Sequence, residues 1–167
     1  MRALHRALKH PRGLGQVFVI LAATQLSSSA GTSYGTGSRL VPVGYTIFHP
    51  DGLEFHTPQR GDQRRTLAPL SEAMSNMRAN VWRLPPGVRG ARHLEHVQDE
   101  MFVVLDGTAT LMLGEPPERV ELPRGSIAVV ETETALQLRN ESEAETTVLI
   151  VGAPPVTGKA DYLPDVD

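Results

Sequence analysis

Between Ala79 and Val151 the chain is cut by turn-forming residues into seven short alternating segments, and that rhythm leaves few architectures open. The segments run Ala79 to Leu84, Met101 to Leu105, Thr108 to Leu113, Arg119 to Leu122, Ser126 to Val130, Ala135 to Arg139 and Thr146 to Val151. The breaks include Pro85-Pro86-Gly87, Asp106-Gly107, Gly114-Glu115-Pro116-Pro117, Pro123-Arg124-Gly125 and Asn140-Glu141-Ser142. Proline presets φ, glycine admits positive φ, and Asn or Asp closes a turn with its own side chain. Strands at this spacing, with no long helical segment between them, imply an all-β sandwich or barrel. Met101-Phe102-Val103-Val104-Leu105 and Val148-Leu149-Ile150-Val151 are apolar on both faces. One face must line the barrel interior, and the other must meet N-terminal strands or a second subunit.

The flanks are less regular. Tyr45-Thr46-Ile47-Phe48 and Leu53-Glu54-Phe55, around the turn His49-Pro50-Asp51-Gly52, predict two more strands. Residues 59–77 are charged, with a helix predicted over Leu70 to Met77 and Ser71 as its N-cap. The polar, acidic chain beyond Pro154 is given no core role. Residues 1–44 read as an extension, disordered or helical, 45–155 as one barrel domain and 156–167 as a tail. The extension has a basic start, an apolar run of seven residues from Val17 to Ala23, and the polar stretch SSSAGTSYGTGS at 27–38. A cleaved secretory signal, a disordered tail and an upstream start site compete; because the apolar run is short, the last two are preferred. A cytoplasmic protein is therefore expected, a secreted one being the alternative.

Composition closes off several chemistries. Without cysteine there is no disulfide, thiolate nucleophile, Cys-type zinc site or iron–sulfur cluster. No apolar stretch is long enough to span a bilayer. The net charge of −3 conceals an asymmetry: Arg2, Arg6, Lys9, Arg12 and Arg39 lie in residues 1–44 with no acid, which leaves residues 45–167 at −8. That field repels phosphate backbones, and no basic stripe interleaved with aromatics offsets it, so nucleic acid is not an expected partner.

Residues 87–107 (GVRGARHLEHVQDEMFVVLDG) concentrate the remaining chemistry. His93 and Glu95, two apart, point to one face of a strand, and His96 points to the other. Glu100 opens the next strand. An imidazole and two carboxylates converging there offer nitrogen and oxygen donors to a borderline or hard divalent ion. Phe102 shares the face of Glu100 and makes the surroundings apolar. Trp82, alternating with Asn80 and Leu84, is either a core aromatic or a pocket wall on which a ring could stack. Met74, Met77, Met101 and Met112 read as gap-filling residues, and His49 and His56 as exposed ones.

The same segment resembles the cupin superfamily. Gly87, His93, Glu100 and Gly107 fit its first motif, G-x5-H-x-H-x(3 or 4)-E-x6-G. Gly125 and Asn140 fit the ends of the second, G-x5-P-x-G-x2-H-x3-N. The resemblance covers about Ala79 to Ala153 and implies a double-stranded β-helix, a jelly-roll barrel. It also implies a homodimer paired through a sheet face. In metal-binding members the two motifs supply three histidines and a glutamate. Here Glu95 replaces the second histidine and Leu136 the motif-two histidine, while Glu131 and Glu133 replace that motif's proline and second glycine. A shifted register would recruit His96 but place Leu94 where the first histidine belongs.

Two functional readings follow. In the first, the barrel binds a small organic molecule at a polar pole of His93, Glu95 and Glu100, with His96 near by. Phe102, Trp82 and Leu136 form the apolar wall, with or without a divalent metal (Mn, Fe, Zn or Ni). In the second, the metal site has decayed and the barrel is a non-catalytic, metal-free ligand-binding or dimerisation module. Neither reading names a reaction, because one fold hosts unrelated functions.

Overall fold

The computed structural model describes residues 44–155 and 160–167. Their alternating pattern becomes β1 (Thr66–Pro69), β2 (Arg78–Leu84), β3 (His93–Glu95), β4 (Asp99–Asp106), β5 (Thr108–Leu113), β6 (Glu118–Pro123), β7 (Ile127–Val130), β8 (Leu136–Arg139), β9 (Thr146–Ala153) and β10 (Ala160–Tyr162). The helical content among the described residues is two 3-10 turns, Pro50–Gly52 and Ser71–Ala73. The strands form two five-stranded antiparallel sheets, ordered β1-β2-β9-β4-β7 and β10-β3-β8-β5-β6. The all-β architecture is the one expected.

Glycine governs the crossings between sheets. After β4 the chain leaves the first sheet at Asp106-Gly107 and enters the second as β5. Gly107 has φ +75°, and a Cβ there would lie 2.7 Å from the Glu145 carbonyl oxygen, so both backbone and space exclude a side chain. The return from β6 to β7 passes through Gly125 at φ +86°. Between the sheets pack Leu84, Phe102, Val104, Val130 and Val148 from the first and Ala109, Leu111, Leu122, Leu136 and Leu138 from the second. Burying each of the larger side chains contributes about 1.5–3 kcal/mol.

The chain divides into residues 1–53 and 54–167. The described part of the first unit, 44–53, is extended chain around the Pro50–Gly52 turn rather than a strand, with Tyr45, Ile47 and Phe48 exposed. The strand expected at Leu53 to Phe55 is also absent; pairing there is confined to a bridge between His56 and Leu67. The extension over residues 1–44, with its signal-like run, falls outside the described residues apart from Gly44. The helix expected at Leu70 to Met77 is a single 3-10 turn. Its Ser71 Oγ exchanges hydrogen bonds with the Ala79 carbonyl (3.1 Å) and N–H (3.2 Å), tying the turn to β2 rather than capping a helix.

The C-terminal segment, given no core role, has no buried residue at 160–167 but adds a strand. Ala160, Asp161 and Tyr162 pair with Glu95, Leu94 and His93, making β10 the main ladder partner of β3. Further on, the Leu163 N–H donates to the Arg92 carbonyl (3.0 Å), and Gln137 Nε2 donates to Asp165 Oδ1 (2.9 Å). Arg139 Nη2 donates to the Val166 carbonyl. These contacts supply partners to the outward side of β8, where Gln137 and Arg139 are buried and need them.

Candidate functional site

His93 and Glu95 project from β3 into a cavity of about 800 Å3 that Glu100 enters from β4. Side-chain alternation and register bring them together. Arg78, Gly152, Glu100 and Val130 form one cross-strand row of the first sheet, and Asn80, Ile150, Phe102 and Ala128 the next. On the opposing sheet His93 pairs with both Leu136 and Tyr162. One ligand atom from each of His93, Glu95 and Glu100 lies within 4.8 Å of the others. Phe102, Trp82 and Leu136 line the same cavity, so all six residues expected at the pocket are there.

The imidazole is set by its backbone neighbour. His93 Nδ1 lies 3.1 Å from the Ala91 carbonyl, which can only accept, so Nδ1 carries a proton. Nε2, 3.2 Å from Glu100 Oε2, therefore faces that carboxylate. A neutral imidazole would point a lone pair at a lone pair. The arrangement calls for a proton between them, on His93 or on a carboxyl group, or for a cation bound by all three groups. Burial disfavours the imidazolium, but the hydrogen bond and charge of Glu100, with smaller help from Ala91 and Glu95, outweigh it and raise the His93 pKa. Burial, reinforced by the Glu100 charge, raises the pKa of Glu95, partly offset by His93 and Arg78. One nitrogen and two carboxylate oxygens with open positions suit a borderline or hard divalent ion.

His96 lies elsewhere. It is exposed, with Nδ1 2.8 Å from Glu133 Oε1 and Nε2 3.0 Å from Asp161 Oδ2, and it links the end of β3 to β10. Strand alternation turns it away from His93 and Glu95. Glu133, at the position of the motif's second glycine, has φ +63°, and its N–H donates to the Glu95 carbonyl (2.8 Å). The turn thus keeps the glycine-like backbone without the glycine and steadies β3. Asn140 is structural, its Nδ2 donating to the carbonyls of Leu84 and Ala144 (both 2.7 Å). The acids are not paired with Arg92 or Arg83. Arg92 binds Glu115 at 2.5 Å, and Arg83 lies over the Phe55 ring.

The sequence reading missed several wall residues: Arg60, Arg65, Arg78, Asn80 and Tyr162. Arg78 and Asn80 precede Trp82 with period two, a signal that could have placed them. Arg60 and Arg65 both precede β1, where no periodicity marks a direction. Trp82 combines its two readings, packing beside the core while carrying the Arg65 guanidinium 4.7 Å from its ring centre.

Residues 80–152 match the cupin domain family. No curated protein matches the chain. Among solved structures, the chain is similar to an uncharacterised conserved protein with a double-stranded β-helix domain from Klebsiella pneumoniae, at 22% identity and TM-score 0.59, covering 71% of this chain and 97% of that one. It is also similar to a sugar phosphate isomerase of the cupin superfamily from Silicibacter pomeroyi (24%, TM-score 0.55, covering 64% and 74%). A third is the polyketide cyclase RemF from Streptomyces resistomycificus (13%, TM-score 0.59, covering 72% and 82%). At these identities the likeness is one of fold.

Proposed function

We propose that the barrel of this chain, whose residues 80–152 match the cupin domain family, binds a small organic molecule beside a divalent ion held by His93, Glu95 and Glu100. The observation that carries the reading is the convergence of those three groups within 4.8 Å, with the Nε2 of His93 turned toward Glu100. A bound ion would supply Lewis-acid charge to a polar group of the ligand. The chain's own groups do the rest: the Ala91 carbonyl fixes the imidazole tautomer, β10 and the Glu133 N–H hold β3 in place, and Phe102, Leu136 and Ile150 exclude water from the apolar side.

Metal analysis of protein purified without chelators tests the proposal. About one ion per chain, lost in His93→Ala and in Glu100→Gln while the fold persists, is the expected result. A folded, metal-free protein that takes up no Mn, Fe, Zn or Ni on titration would favour the metal-free binding module instead.

We further propose a homodimer built on the outer face of the first sheet. Two apolar rows cross it, Val81-Leu149-Val103-Ile127 and Ala79-Val151-Met101-Val129. They end on β7, where Ile127 is 65% and Val129 66% exposed. Side chains of this kind at a sheet edge invite a partner.

A further inference from the structure

Three guanidinium groups, of Arg60, Arg65 and Arg78, share the cavity wall with the two carboxylates of Glu95 and Glu100. Among the described residues none of the three is hydrogen-bonded to a carboxylate. Arg78 donates to Gln98 Oε1 (2.9 Å), Arg60 lies over the Tyr162 ring, and Arg65 donates to the Arg60 carbonyl (2.5 Å). The contrast with the preceding residue is informative. Arg64 takes Asp62 in a multiple hydrogen bond with contacts down to 2.5 Å, which leaves Arg65 without an acid of its own. Arg65 is also the more desolvated, its Nε buried without any partner and its Cζ over the Trp82 ring, 4.7 Å from the ring centre. Burial pushes its pKa down. A desolvated cation without a hydrogen-bonded acid is costly in a folded protein; Asp62, the acid whose charge reaches Arg65, is hydrogen-bonded to Arg64, and Arg65 lines a cavity.

Resting on the proposed binding role of the barrel, we infer that the ligand is a small organic acid whose carboxylate is received by Arg65, with Trp82 as the residue that positions the guanidinium. A planar guanidinium fork matches a carboxylate, and stacking on an indole fixes the plane in advance. Phosphate fits less well: the described part of this unit offers no helix longer than one 3-10 turn whose N-terminus could add backbone donors, and Glu95 and Glu100 in the same cavity repel a dianion more strongly than a monoanion. Leu136, Leu138 and Phe102 line the same cavity and offer apolar contact to the body of such an acid.

Trp82 is the chain's single tryptophan, so its emission reports directly on the Arg65 site. The full chain is titrated at constant ionic strength with benzoate, 4-hydroxybenzoate and glutarate, with the corresponding amides, and with inorganic phosphate. Saturable changes with the carboxylates, at half-saturating concentrations at least tenfold below those of the matching amides, are expected. Arg65→Gln should abolish that preference and Arg65→Lys retain part of it, with circular dichroism showing that both remain folded; if Arg65→Gln does not fold, the acid-against-amide comparison in the unaltered protein and in Arg65→Lys still decides. Equal responses to acid and amide, no saturable response to any of the carboxylates, a preference that survives Arg65→Gln, or phosphate binding tighter than every carboxylate would each overturn the inference. Mn2+ binding on the same preparations separates the two proposals. Intact Mn2+ binding without acid preference removes the carboxylate site alone, and Arg65-dependent acid binding without Mn2+ removes the metal pole alone.

Discussion

Gly152 and Gln98 claim the same space: a Cβ built on Gly152 would lie 2.3 Å from both Cδ and Oε1 of Gln98. The missing side chain lets a fully buried Gln98 donate to the Pro154 carbonyl (2.7 Å) and accept from Arg78 (2.9 Å). Gly152→Ala must therefore displace a hydrogen-bonded side chain rather than fill a void. A loss of about 1–3 kcal/mol is expected in urea denaturation. Gly152→Ala combined with Gln98→Ala should recover part of it, because the collision is then gone.

Glu141 gives a pH dependence with a definite sign. The hydrogen bond from Arg119 (2.8 Å), helped by Arg139 and opposed by partial burial, lowers its pKa below the ordinary 4.5. A depressed carboxylate stabilises the fold above its unfolded value, and that contribution disappears as pH falls through the folded value. Because Arg119 is half exposed, screening keeps the contribution to a few tenths of a kcal/mol. Denaturant midpoints of the unaltered protein and Glu141→Gln should differ by that small amount at pH 7 and converge below about pH 4.5.

Ile127→Glu and Val129→Lys test the proposed dimer. Light scattering should give two chains per particle for the unaltered protein at micromolar concentration and one for either variant, with melting behaviour largely kept. A monomeric unaltered protein would remove the proposal.

Deleting residues 160–167 strips β3 of its longest ladder and leaves buried Arg139 and Gln137 short of acceptors. Unfulfilled buried donors cost about 1–3 kcal/mol each. The shortened chain should be less stable by at least about 2 kcal/mol in chemical denaturation, and its divalent-ion affinity should fall because β3 carries two of the three ligands. Unchanged stability would mean that the C-terminal contacts contribute nothing.

What could be read in the sequence followed from periodicity. From Ala79 to Val151 most strands are bounded by their own turn residues, so their location needs no knowledge of a partner. The pairing of His93 with Glu95 on one face follows from the same period of two. β1 and β10 are four and three residues long, too short to show a period, and exist because β2 and β3 offer edges to them. The aromatic run at Tyr45 to Phe48 erred the other way: its side chains favour a strand, but no strand pairs with it and they remain exposed. Arg65 was invisible for a related reason, since only the folded chain lays it on Trp82.

β9 lies between β2 and β4, although it is made more than forty residues after either of them begins. During synthesis, then, the first sheet has no centre until residue 153 has emerged, and the wall of the cavity that carries Tyr162 comes later still. Until that point β2 and β4 present unpaired edges, so a nascent chain of this protein depends on not meeting another such edge before its own arrives.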